Sequence, residues 1–173
     1  MGDLTSEVVT ASHMNTHVRD NFLETGTAKA TTAAGFLMSG GTNTVVERAA
    51  DGAAVTTQQS TTSTSYTDLT TAGPAVTITT GTRVCVAVVA RINNGTLGNV
   101  SYMSYAISGS TTSSASDNVS AHLESDPADQ VGTPCNFHIR TGLTAGSNTF
   151  TSKYRVSGGT GNFEDRRITV IPA

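Results

Sequence analysis

Residues 82–95 read Thr82-Arg83-Val84-Cys85-Val86-Ala87-Val88-Val89-Ala90-Arg91-Ile92-Asn93-Asn94-Gly95. The period is two, as in a β-strand, where successive side chains point to opposite faces. Val84, Val86, Val88 and Ala90 fall on one face; Cys85, Ala87, Val89 and Arg91 fall on the other. Both faces are largely apolar, which predicts a strand at the centre of a sheet or buried at a subunit contact. Asn93-Asn94-Gly95 supplies a turn, because Asn and Gly tolerate the backbone angles that tight turns demand.

The same period recurs on both sides. Upstream, Pro74 to Thr79 alternates Val76 and Ile78 with Thr77 and Thr79. Downstream, Asn99 to Ser108 sets Met103, Tyr105 and Ile107 against Tyr102, Ser104 and Ala106. Val119 to Leu123 is a shorter candidate. Cys135 to Arg140 is expected to turn Cys135, Phe137 and Ile139 inward. Thr149 to Val156 is expected to bury Phe150, Tyr154 and Val156, and Arg166 to Ile171 closes the series. About eight short strands with turns at this spacing, and no helical pattern between them, predict an antiparallel jelly-roll β-sandwich over residues 61–173.

The first 60 residues follow different rules. Between Thr10, a helix cap, and Gly26, a helix stop, Ala11, Met14, Val18 and Phe22 recur three or four apart, and Leu23 widens that stripe. Ser12, Asn15, Thr16, Arg19 and Asp20 occupy the other side. The pattern predicts a helix within Val8–Gly26, too short to be stable alone, so its stripe needs a partner. Residues 27–60 are rich in Thr, Ala and Gly and are expected to form an extended arm. Phe36, Leu37 and Met38 form an isolated apolar knot within it, and Thr44 to Arg48 is a candidate short strand. The expected layout is an attachment helix (1–26), an arm (27–60) and a sandwich (61–173). Met14, Val18, Phe22, Leu23, Phe36, Leu37 and Met38 are the candidate attachment or oligomerisation residues.

Composition removes several functions. Only 13% of residues are charged, with a net charge of −3, which argues against a nucleic-acid partner needing a clustered basic surface. No apolar run reaches the roughly 20 residues of a membrane span, so membrane insertion is not expected. The N-terminus lacks a basic region followed by an apolar core, so no signal peptide is expected and synthesis is placed in a cytoplasm. Cys85 and Cys135 read as free thiols rather than a disulfide framework.

Candidate chemistry is sparse. His13 and His17 stand four apart, with Asp20 and Glu24 further along, but no second ligand pair accompanies them, so a polar helix face is the better reading than a metal site. Asp117, Glu124, Asp126 and Asp129 lack the spacing of a calcium loop and read as solvated loop residues. No nucleophile elbow, zinc-protease or phosphate-loop motif is present, and few aromatics with no Trp weaken a sugar-cleaving reading. Neither an enzyme nor a cofactor is expected.

Two stretches carry a resemblance. Glu7-Val8-Val9-Thr10-Ala11-Ser12, followed by Asn15-Thr16-His17-Val18-Arg19-Asp20-Asn21, resembles the N-terminus of a group of tailed-bacteriophage virion proteins. Leu143 to Phe150 with Lys153-Tyr154-Arg155, then Asn162-Phe163 and Arg166 to Pro172, looks like the last hairpin and closing strand of phage jelly-roll modules. The resemblance implies a virion structural protein, commonly a homotrimer, placed on the outer surface and assembled in the host cytoplasm. An outer capsid decoration protein would dock on the major capsid protein by its helix and arm. The alternative is a minor tail or tail-fibre protein, whose loops at 93–98, 109–118 and 124–134 would bind a host cell-surface receptor.

Overall fold

The computed structural model describes residues 10–14, 30, 35–41 and 44–173. The chain divides into two compact units, Met1–Ala49 and Ala50–Ala173.

In the first unit, α1 (Ala11–Met14) is a single helical turn preceded by Thr10. Val18, Phe22 and Leu23, and most of the expected helix, lie outside the described residues. The knot at Phe36–Met38 is part of β1 (Phe36–Gly41), which pairs antiparallel with β2 (Thr44–Arg48). Leu37 sits opposite Glu47 and Met38 opposite Val46. A two-stranded hairpin buries little by itself, and Phe36 and Leu37 remain 49% and 41% exposed.

The second unit is the expected jelly-roll sandwich. One sheet has the order β5 (Ala75–Thr80), β10 (Gly146–Val156), β7 (Val100–Gly109), β8 (Ala121–Glu124). The other runs β3 (Asp51–Val55), β11 (Gly161–Pro172), β6 (Arg83–Asn94), β9 (Cys135–Thr141), and β4 (Gln59–Thr61) pairs with the start of β11. All pairs are antiparallel. Asp51 already belongs to the sheet, so the expected arm gives way to the sandwich earlier than residue 61. The Gly/Ala-rich sequence of β3 hid this: the strand is held by its pairing with β11 more than by its own small side chains.

The core lies between the sheets. Val84, Val86, Val88, Ala90 and Ile92 of β6 and Phe163, Ile168 and Val170 of β11 meet Met103, Tyr105 and Ile107 of β7 and Phe150 and Tyr154 of β10. Two buried asparagines hold the ends. Asn94 donates to Ser101 Oγ (3.2 Å) and to the Gly158 carbonyl (3.1 Å) at one end. Asn148 donates to Thr80 Oγ1 (2.8 Å) and accepts from the Thr111 N–H (2.7 Å) at the other. Gly109 closes that second end with φ +103°, where a Cβ would stand 2.5 Å from the Ser147 carbonyl oxygen.

Arg166 is fully buried. The β6–β11 register shifts between Glu164 and Arg167, and Asp165 has φ +49°. This bulge changes the inward parity of β11 from odd (Phe163) to even (Ile168) and carries Arg166 inside. The guanidinium lies 5.4 Å from the centre of the Tyr154 ring and donates to the Thr57 (3.3 Å) and Thr71 (3.4 Å) carbonyls. It thereby ties the crossing segment between β3 and β5 to the last strand.

Candidate interaction surface

The outer faces of the two sheets are built differently. On the four-stranded sheet, the outward residues of β10, β7 and β8 include Arg155, Tyr102 and His122, placed side by side by the register. Arg155 stacks its guanidinium 3.9 Å from the centre of the Tyr102 ring. Its Nε donates to Asp117 Oδ1 (2.8 Å), and its Nη2 donates to Asp117 Oδ2. The Tyr66 hydroxyl donates to the same Oδ1 (2.8 Å). Lys153 donates to both oxygens of Asp68 (2.8 and 2.7 Å).

The Arg155 bond, helped by the Tyr66 hydroxyl, holds the Asp117 carboxyl below its ordinary range despite some burial. Burial first, then the bond to Asp117, pushes the Tyr66 hydroxyl up. The loop after β7 folds back along this face: Ile107 and Ser113 exchange backbone bonds, and Ser104 Oγ donates to the Ser116 carbonyl (2.7 Å). Ser104 points outward from its sheet and is nonetheless 0% exposed. The chain covers the β7 part of this face with its own loop, while Ala75, Thr77 and Thr79 of β5 and His122 of β8 stay exposed.

The five-stranded sheet has no such cover among the described residues of its unit. Phe137 and Ile139 are 63% and 60% exposed, and Cys135 is exposed as well. This overturns the expectation that they point inward. The inward positions of β9 are Asn136, His138 and Arg140, and each has work there. The Tyr105 hydroxyl and His138 Nε2 are 2.7 Å apart, His138 Nδ1 and Asn136 Oδ1 are 2.8 Å apart, and Arg140 donates to Ser113 Oγ (3.1 Å). Asn136 Oδ1 only accepts, so Nδ1 carries the ring proton and Nε2 accepts from Tyr105. Burial and the nearby Arg140 push the His138 pKa down, and burial raises Tyr105 to about 12. Polar residues thus fill the margin of the interior, and the apolar set of β9 faces out.

Register aligns that outer face into rows. Ile139, Cys85 and Ile171 form one; Phe137, Ala87, Thr169 and Gly52 the next; Cys135, Val89, Arg167 and Ala54 the third. The strand predicted to be central, β6, is central, and its second apolar face is the middle of this surface. Beyond the third row the face becomes polar. Arg91 and Glu164 form an ion pair, and a depression of about 210 Å³ is lined by Gln58, Arg91, Asn93, Val131, Asn162 and Glu164.

Cys85 and Cys135 are free. They share this outer face. Cys135 pairs with Val89, four residues along β6 from Cys85, roughly 13 Å at strand spacing and beyond disulfide reach.

The three loops named as recognition candidates do not gather at one site. Residues 93–98 and 124–134 meet at one end of the sandwich: the Gly98 N–H donates to the Ser125 carbonyl (2.8 Å) and the Asp129 N–H to the Asn94 carbonyl (2.8 Å). Residues 109–118 start at the opposite end, beside Ser147. Of the acidic residues 117–129, Asp117 is engaged with Arg155 and is separate from the others. Among the described residues no cluster of three metal-ligating side chains occurs, and no helix is long and apolar enough to cross a membrane.

No protein-family model and no curated protein matches the sequence. Solved structures do match the fold. A structure of infectious bursal disease virus (Gt strain) aligns over 78% of this chain and 37% of its own, at 9% identity and a TM-score of 0.52. The infectious bursal disease virus VP2 subviral particle gives the same values. The chain therefore spans little more than a third of the proteins it matches, and at that identity the likeness is one of fold.

Proposed function

We propose that this chain is a non-enzymatic structural protein of a tailed-phage virion, an outer capsid decoration protein that displays the sandwich as a homotrimer. The observation that carries the reading is the apolar outer face of the five-stranded sheet, where Phe137 and Ile139 are exposed and no loop among the described residues of that unit covers them. An exposed apolar row on the outer face of a sheet suits assembly with another surface. The particle proteins that share the fold support placing it on a virion, as does the resemblance of the N-terminal stretch to phage virion proteins.

In this reading the helix stripe (Met14, Val18, Phe22, Leu23) and the hairpin residues Phe36, Leu37 and Met38 dock on the major capsid protein. Exposure of Phe36 and Leu37 suits that role. A decoration protein works by adding buried area across joints between shell subunits. Buried area stabilises by about 25 cal/mol per Å² of apolar surface, so many weakly held copies together resist opening of the shell.

A second reading places the chain in the tail, as a minor tail or tail-fibre protein whose sandwich loops contact a host receptor. The junction of loops 93–98 and 124–134 at one end favours it. Copy number separates the two. Adding purified protein to particles that lack it, and counting bound chains, should give hundreds per virion for a decoration protein; a handful contradicts it and indicates the tail. Removing residues 1–26 should leave a folded sandwich that no longer binds. Retained binding would show that the helix is not the anchor.

A further inference from the structure

We infer that the depression at the polar end of the five-stranded sheet is a binding site for one neutral saccharide unit. The inference deepens the second reading above and rests on it for the source of the saccharide, a host surface. Two cross-strand pairs on the outer face of β6 and β11 form the floor: Arg91 opposite Glu164 and Asn93 opposite Asn162. Val131 flanks the floor on the β6 side, next to Gly132, which exchanges backbone bonds with Ile92 (2.8 and 2.9 Å). Gln58 flanks it on the β11 side, next to Gln59, which pairs with Phe163.

Each part is fixed from behind. The buried Arg166 guanidinium donates to Gln59 Oε1 (3.3 Å) and to the Thr57 carbonyl (3.3 Å), and the Thr71 N–H donates to the same Gln59 oxygen (3.0 Å). Gln58 therefore stands between two anchored residues. On the other side, the Asp129 N–H bond to the Asn94 carbonyl (2.8 Å) fastens the loop that carries Val131. Asn94 is itself held by Ser101 and Gly158. A ligand meets a framework already in place, so little ordering opposes its binding.

The lining selects the class of ligand. The amides of Asn93, Asn162 and Gln58 both donate and accept, as sugar hydroxyls do. Asn93 uses one donor on Asp129 Oδ1 (3.3 Å), which leaves it a second donor and an acceptor. Arg91 and Glu164 neutralise each other. An anion would have to draw Arg91 away from Glu164, and a cation would have to draw Glu164 away from Arg91. A neutral polyhydroxy ligand bonds to the intact pair. No aromatic ring lines the depression, so a stacked base is not selected, and Val131 offers an apolar contact to ring C–H groups. The volume of about 210 Å³ is below the roughly 300 Å³ at which pockets for drug-sized ligands begin, which leaves room for one ring. One carboxylate lines the site where glycoside cleavage uses two, so the site binds without cutting. A single ring held at a wet surface binds weakly, with a Kd on the order of millimolar, and several copies on one particle raise that through avidity.

The test titrates the full-length chain with methyl glycosides of glucose, galactose, mannose and N-acetylglucosamine, and with glucuronate and glucosamine as charged counterparts. Backbone and side-chain amide NMR reads the binding. At least one neutral glycoside should give saturable shifts centred on Gln58, Asn93 and Asn162, and the charged sugars should bind about fivefold more weakly or worse. Asn162→Ala and Gln58→Ala should each weaken that glycoside about threefold or more, with melting unchanged. No saturable shift with any neutral glycoside, shifts centred elsewhere, tighter binding of a charged sugar, or unchanged affinity in both variants would each overturn the inference. Its failure is distinct from failure of the second reading. A chain that binds a glycoside yet occupies virions in hundreds of copies keeps the site and loses the tail placement. A chain present in a handful of copies that binds no glycoside keeps the tail placement and loses the site.

Discussion

The two outer faces of this sandwich have the same strand geometry and opposite fates. On the four-stranded sheet, Arg155 lies flat on Tyr102, is held there by Asp117 and Tyr66, and the loop carrying Asp117 and Ser116 buries Ser104 from outside. On the five-stranded sheet, Phe137 and Ile139 are mostly exposed beside Ala87 and Cys85. The covered face shows how this chain closes a surface when it needs stability: with polar side chains in fixed partnerships. The other face keeps Phe137 and Ile139 mostly exposed, with no such partnerships among the described residues of its unit. Substitutions on the covered face should therefore cost stability without changing association. Those on the apolar face should do the reverse.

The largest stability effect is expected from Arg155→Ala. It removes a guanidinium stacked on an aromatic ring and leaves the Asp117 carboxylate without its main partner. A loss of about 2 kcal/mol is expected, read as a lower denaturation midpoint with the mass unchanged. A change in mass with no loss of stability would break the distinction between the faces.

Asp117→Asn should cost less, about 1 kcal/mol, because the carboxylate is roughly half exposed and its ion pair is screened by solvent. It also carries a pH signature. The folded pKa of Asp117 is depressed, so its contribution is fully present above the unfolded value of about 3.9 and is lost as pH falls through the lower folded value. The difference in stability between wild type and Asp117→Asn should therefore shrink below about pH 4. A difference that grows with acidity would contradict the assigned pairing.

The smallest stability effect belongs to Phe137→Glu, which should shift the stability of the single chain by less than about 0.5 kcal/mol, as at an ordinary surface site. A loss of several kcal/mol would mean that Phe137 is part of the fold and the face is not free.

The strands themselves could be read in the sequence because alternation is a local signal. Val84 to Ile92, Met103 to Ile107 and Phe150 to Val156 gave the position of each strand and the residues that share a face, and for Phe150, Tyr154 and Val156 the inward face as well. In β9 the same signal misleads. Alternation of Phe137 and Ile139 with Asn136, His138 and Arg140 fixes which residues share a face, but not which face is inside. The assignment depends on Tyr105 and Ser113, which lie on other segments and offer partners to the polar set. It needs tertiary contacts to be seen. The Tyr66–Asp117–Arg155 group is hidden for the same reason, since its members are tens of residues apart. Arg166 is hidden by a bulge that no run of residues announces. The expected helix stripe at Val18, Phe22 and Leu23 falls outside the described residues, so the attachment role rests on sequence and on the exposed hairpin.

Cys135 offers the most direct measurement of the central claim. Its thiol is exposed on the apolar face, so a maleimide reagent should modify it readily in a dilute, dissociated chain. With site-resolved mass spectrometry, the rate at Cys135 should fall as protein concentration rises, in step with the increase in mass. A labelling rate that stays constant while the chain assembles would place the contact elsewhere and refute the account of the apolar face.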